Sequence, residues 1–347
     1  MEDIRESITM GEQDEAQGLK KARKHFSRIG WMFVLGTVVI YAVQLVPVIL
    51  VRMFRPRWLL NDNIALLIST LPMYLIGMPV LILLMRRIPA KLPERHTMKT
   101  GSIIVAAIMC LSLVYVFNVL GNILTTIIGA LKGGMVQNEL LNLTEGLDLW
   151  MIFFIMVICA PIMEELIFRK IIVDRTIHYG QGAAVMVSGL MFGLFHGNLN
   201  QFVYAFVLGM FLAFLYAKTG NLKITIGLHM LINFLGGVVS SLLMRMIDID
   251  EYLGLASEGM DMEVMMSYFM DNLAGWIIYL CYAVFIIGIM ISGTILFIVF
   301  MAKKKFTLSR GTFVIPKGKR FRTVILNAGM LVYCVIWTAT IAAQLFM

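Results

Sequence analysis

Charge is scarce in this chain of 347 residues. Asp, Glu, Lys and Arg make up 14% of it against 60% hydrophobic residues, too few to cover the surface of a water-soluble globule. Its four cysteines, Cys110, Cys159, Cys281 and Cys334, all fall inside apolar runs and none is in a CxxC spacing. They read as packing residues rather than as a zinc knuckle or redox pair. Neither G-x-S-x-G nor H-E-x-x-H occurs, which removes the serine-hydrolase elbow and the zincin helix from the chemistries to consider. The first thirty residues lack a short apolar core ending in a small-residue cleavage site, so no removable signal peptide is expected. No repeat or low-complexity segment is evident.

What the chain has in abundance is long apolar runs, with a mean hydropathy of +0.86. Runs of about 20 apolar residues, enough to cross roughly 30 Å of hydrocarbon as a helix, lie near 29–51, 63–85, 102–131, 149–173, 182–199, 201–217, 222–244, 273–301 and 324–347. The expected fold is therefore an all-α, polytopic transmembrane bundle of about nine spans. With the N-terminus placed in the cytoplasm, 24 of the 29 Lys and Arg residues fall in inside segments, as the positive-inside rule requires. The C-terminus is then outside, and the protein sits in the cell membrane. The net charge of +8 reads as topology and contact with anionic lipid heads, not as nucleic-acid binding. The organisation expected is an N-terminal cytoplasmic tail over 1–28, three spans over 29–147, a core over 148–244, an outer acidic, Met-rich loop over 245–272, and two last spans over 273–347 that flank a basic cytoplasmic loop. Within the outer loop, the run from Met260 to Met270 suits a short interfacial helix.

Ionisable side chains inside hydrocarbon are costly and usually face a bundle interior or a site. Two of the five histidines, His196 and His229, lie within spans, and the acids matching them are Glu164 and Glu165. At 1.5 Å rise per residue from the cytoplasmic helix ends, Glu164 lies about 16 Å deep, His196 about 22 Å, His229 about 10 Å and Asn233 about 16 Å, so ordinary tilt lets them meet. Residues four apart share a face, which pairs Glu165 with Arg169 and projects His229 and Asn233 together. Glu164 is about 100° around from Glu165 and faces another partner. Pro161 removes a backbone hydrogen bond just before the carboxylates. Gly189, Gly193 and Gly197 recur every four residues and allow close helix approach. Blander roles exist for each residue: Glu165 with Arg169 as a structural ion pair, Glu164 as a hydrogen-bonding anchor, a histidine or Asn233 as interhelical glue. Phe192, Phe195, Phe202, Phe206, Phe211 and Phe214 read as packing, and no role is assigned to Asn118, Asn122 or Gln44.

In order along the chain, Glu164-Glu165-x-x-x-Arg169, Phe192-x-x-x-His196 and His229-x-x-x-Asn233 closely resemble the motifs of the CPBP family of intramembrane proteases. That family includes the type II CAAX prenyl endopeptidases and proteins linked to bacteriocin self-immunity. The resemblance covers roughly residues 148–244. It implies hydrolysis of a peptide bond at the membrane, with Glu164 activating water, His196 holding or polarising it, and His229 with Asn233 stabilising the oxyanion. Glu165, Arg169 and Phe192 take supporting roles. The substrate implied is a membrane-associated or lipid-anchored protein or peptide, reached through a cavity among spans four to seven that opens toward the cytoplasmic half. Two schemes are open for the cofactor: direct glutamate chemistry with none required, which we favour, or a divalent metal such as zinc on Glu164, His196 and His229. Two other functions are weighed: a non-proteolytic membrane protein for peptide binding or immunity, and a transporter, which would require related halves with broken helices that the sequence does not display.

Overall fold

The computed structural model describes residues 2–134, 136, 144, 146–247, 254 and 261–346, with side chains from residue 13 onward. Among these residues the regular structure is all helix. Its principal elements are α1 (Glu2–Phe54), α2 (Asp62–Arg86), α3 (Thr100–Lys132), α4 (Leu149–Tyr179), α5 (Gln181–Phe195), α6 (Leu199–Thr219), α7 (Leu222–Met246), α8 (Leu273–Ala302) and α9 (Ala328–Phe346). Eight are long and apolar enough to cross a membrane, and α5 is shorter. The protein is an integral, multi-pass membrane protein.

The fifth expected span differs most from its sequence reading. α5 has 15 residues, about 22 Å of helix, because Gly197 at φ +70° turns the chain and Asn198 caps the next helix by accepting from the Gln201 N–H at 2.8 Å. A left-handed glycine followed by an Asx cap ends one helix and starts another within three residues. α5 and α6 are therefore a helical hairpin with His196 at its tip. Gly197 belongs to that turn and is no rung of a glycine ladder. Gly189 and Gly193 do serve close approach: a Cβ on Gly193 would sit 2.9–3.0 Å from Phe206 Cβ, Cα and N. Gly193→Ala is accordingly expected to cost about 1–3 kcal/mol through overpacking, read as a lowered thermal midpoint in detergent. Gly227→Ala, where a Cβ meets nothing within 4 Å, should not lower it.

α4 is the central element. One apolar cluster joins it to α1, α2, α5 and α9 through Phe33, Leu81, Phe168, Phe192 and Tyr333; a second, built from Met109, Leu212, Leu228 and Ile232, joins α3, α6 and α7. α1 and α9 cross at Gly30 and Gly329, where a Cβ on either would fall within 2.2 Å of opposing backbone. Residues 2–28 form the first part of α1, and Ala22 and Phe26 there are fully buried. His25 Nε2 lies 2.7 Å from the Arg175 carbonyl, and Arg175 Nε donates to the Met85 carbonyl at 2.7 Å, which fastens α1, α4 and α2 at one end. Of the outer loop, Met262–Asp271 is helical. Residues 248–253, 255–260, 135, 137–143 and 145 lie outside the described set.

Candidate active site

α4 does not run as a simple α-helix. Ile152–Cys159 and Glu165–Val173 are π-helical, with one α turn, Ala160–Glu164, between them. Wide turns of this kind are uncommon and concentrate at functional sites. Here the sequence supplies a reason. The Ala160 N–H bonds back five residues to the Ile155 carbonyl, so the donor next due, to the Met156 carbonyl, is that of Pro161, which has none. Asn233 Nδ2 takes that place at 2.8 Å from Met156 O. A proline in α4 thereby fixes a side chain of α7.

The two adjacent carboxylates part company. Glu165 is fully buried, and its Oε1 lies 3.0 Å from Arg169 Nη2, which is itself fully buried. Glu165 Oε1 is also 3.0 Å from His229 Nδ1. Arg169 Nη1 reaches Ser188 Oγ at 3.4 Å, and Ser188 donates in turn to the Phe168 carbonyl at 2.7 Å. The guanidinium lies over the Phe192 ring at 4.5 Å, a favourable cation–π stack in a desolvated place. The same ring meets His196 edge-on at 4.8 Å and His229 at 5.8 Å. Phe192 is thus the hub against which both histidines and Arg169 are oriented.

Glu164 keeps a partly exposed side chain, 17% accessible. Its Oε2 is 3.7 Å from His229 Nε2. His229 therefore bridges the two glutamates, a link that i,i+4 spacing within α4 cannot reveal. With Nδ1 engaged by Glu165, the Nε2 edge of His229 faces Glu164.

His196 is held differently. Its Nδ1 lies 2.9 Å from the Phe192 carbonyl, so Nδ1 carries the proton and Nε2 presents a lone pair. Asn198 Nδ2 donates to the His196 carbonyl at 3.2 Å. Beyond the tip, Asn118, Asn122 and Asn200 close a ring of amide hydrogen bonds where Asn200 backbone packs on Gly121. The two α3 asparagines thereby acquire a role: they tether the hairpin that carries His196. Their four-residue spacing and the Gly197-Asn198 cap signal were the available clues; Ser188 and the Met156 carbonyl gave none.

Glu164, His196 and His229 share a neighbourhood, but among the described residues no three His, Cys, Asp or Glu side chains form a group that could hold a metal ion. The donor types would suit zinc, whereas their arrangement among the described residues does not form such a group.

An all-helical membrane bundle with a cluster of Glu, Arg and His side chains on facing helices defines a polytopic membrane protein with an internal polar site. Residues 146–235 match the model of the type II CAAX prenyl endopeptidase Rce1-like family. Over 80 residues the chain is 35% identical to the putative membrane peptidase YdiL of Bacillus subtilis (strain 168), covering 22% of this chain and 32% of that protein, so it spans about a third of that relative. Over 212 residues it is 28% identical to the membrane-embedded CAAX protease MroQ of Staphylococcus aureus (strain USA300), covering 57% of this chain and 85% of that protein. No solved structure gives a significant match.

Proposed function

We propose that the chain is an intramembrane endopeptidase in which Glu164 is the general base. The observation that carries this reading is the division of labour between adjacent carboxylates: Glu165 is consumed by Arg169 and His229, while Glu164 remains accessible beside an imidazole nitrogen. A water placed between Glu164 and the His196 Nε2 lone pair gives up a proton to Glu164 as its oxygen attacks the scissile carbonyl. The oxyanion that forms accepts from His229 Nε2–H and from Asn233 Nδ2, whose second N–H is held by Met156 O. Glu164 then returns the proton to the leaving amine. Donors fixed in advance in a water-poor site stabilise such charge by a few kcal/mol each, and a positioned carboxylate base contributes about 10²–10⁴ in rate.

The substrate is a membrane-associated or lipid-anchored protein or peptide cut near the membrane, with the N-terminus of the enzyme in the cytoplasm. The names of its relatives, a CAAX protease and a membrane peptidase, support that class. Comparison of membrane peptidomes from cells carrying wild-type and Glu164→Ala protein tests the reading: a fragment absent from the variant names client and cut site. Identical peptidomes with retained peptide binding would make this a binding protein instead.

Two further outcomes follow from the geometry. Pro161→Ala restores a donor for Met156 O and releases Asn233, so kcat is expected to fall about tenfold or more through lost positioning, while the thermal midpoint holds or rises because a helix-interior proline is gone. Metal-analysed, chelator-treated protein is expected to keep its turnover. Stoichiometric zinc whose removal abolishes cleavage would overturn the direct glutamate scheme.

A further inference from the structure

A cavity separate from the candidate active site lies where α3 begins and α6 and α8 finish. Its volume is about 340 Å³, and none of Glu164, His196, His229 and Asn233 lines it. It borders the apolar cluster that joins α3 to α6 and α7. The space exists because α3 presents Gly101, Ser102 and Ala106 to it: a Cβ on Gly101 would meet nothing within 4 Å. The facing wall is aromatic. The Phe306 ring centre lies 5.4 Å from that of Phe214 and 6.0 Å from that of Phe300, and all three rings are on the lining.

The chain is bent to bring Lys305 and Phe306 to this place. At the end of α8 the Lys305 N–H donates to the Phe300 carbonyl and the Lys304 N–H to the Met301 carbonyl, both at 2.9 Å, the paired bonds of a Schellman ending. The left-handed position in such an ending is usually glycine. Here it is Lys304, at φ +52°, the one residue with a side chain and a positive φ among the described residues. Backbone strain held at a single point motivates a search for function. Lys305 Nζ sits 4.8 Å from the centre of the Phe300 ring, and Lys218 Nζ, at the end of α6, lies 6.0 Å from that of Phe214. Lys305 is the only charged residue on the lining, and among the described residues no carboxylate forms a salt bridge with Lys218, Lys303, Lys304 or Lys305. An apolar chamber with unpaired cations at its rim suits an amphiphile with a negative head: the acyl chain meets the aromatic wall, and the phosphate balances the lysines. A neutral isoprenoid would leave the lysines unpaired, and a free phosphate would leave the chamber unfilled.

We propose that this cavity binds one anionic phospholipid, with an acyl chain lodged between α3 and α6 and the phosphate held by Lys305, Lys218 lying alongside. The site stands independently of the endopeptidase reading. Native mass spectrometry of the full-length protein, mixed with equal amounts of phosphatidylglycerol and phosphatidylcholine of the same acyl chains, tests it. The wild-type protein is expected to retain one phosphatidylglycerol in preference, and excess inorganic phosphate should not displace it. Lys305→Gln should weaken retention about fivefold, the size of one lysine facing anionic lipid. Gly101→Phe, which fills the chamber and keeps every lysine, should abolish it. Lys317→Gln, at an exposed lysine away from this lining, should leave it unchanged. Each variant must keep the wild-type thermal midpoint in lipid-free detergent, and Gly101→Leu, a smaller plug, stands in for Gly101→Phe where it does not. Equal retention of the two lipids, displacement by inorganic phosphate, or preference for a neutral isoprenoid added to the mixture would each overturn the site. So would equal weakening in Lys305→Gln and Lys317→Gln, which would show only diffuse attraction to a basic surface.

Discussion

Arg169→Ala is expected to destabilise the protein by about 3–5 kcal/mol, because it leaves the Glu165 carboxylate buried without its guanidinium. Both side chains are fully buried and 3.0 Å apart, so water cannot replace the lost partner. The outcome should be a sharp fall in folded yield and thermal midpoint. Arg169 also stacks on Phe192, so the same substitution loosens the ring that orients His196 and His229. The informative comparison is the double variant Glu165→Leu/Arg169→Met. Replacing a buried ion pair by apolar groups of similar volume is often neutral or stabilising, and the double variant should recover most of the midpoint that Arg169→Ala loses. It should nevertheless stay inactive, because His229 Nδ1 then lacks the carboxylate that holds its proton. Recovery of cleavage along with stability would make the pair purely a structural brace.

That dual role shows where sequence reading reached its limit. The i,i+4 spacing was enough to place Arg169 beside Glu165, since both lie on one helix and local geometry decides such pairs. The bridge from His229 to both glutamates joins α7 to α4 across 64 positions, and only tertiary packing sets its distances. Helix count was legible from apolar run length, except that the fifth run contained its own stop: Gly197 and Asn198 carry a helix end inside a stretch whose hydropathy continues past it. Pro161 was legible as a missing hydrogen bond; that Asn233 fills it was not, because the orphaned carbonyl appears only once Ala160 bonds five residues back. The involvement of α1 and α9 left no motif at all. Gly30 and Gly329 are ordinary residues of apolar helices, and their significance lies in what they face.

The largest effect belongs to Glu164. Its carboxylate contributes no ion pair to Arg169 and is the more accessible of the two, so removing it should leave the fold intact while deleting the proposed base. A general base is worth about 10²–10⁴ in rate, and nothing nearby replaces it: Glu165 is held by Arg169 and His229, and His196 has its Nδ1 proton committed to Phe192 O. Glu164→Gln preserves shape and hydrogen bonding, which separates loss of basicity from loss of packing. The decisive measurement is kcat for a peptide spanning the cut site, with wild-type, Glu164→Gln and Glu164→Ala protein in proteoliposomes and thermal midpoints recorded alongside. Both variants are predicted to lose at least about a hundredfold in kcat at an unchanged midpoint; cleavage at the wild-type rate by a folded Glu164→Ala protein would contradict the account.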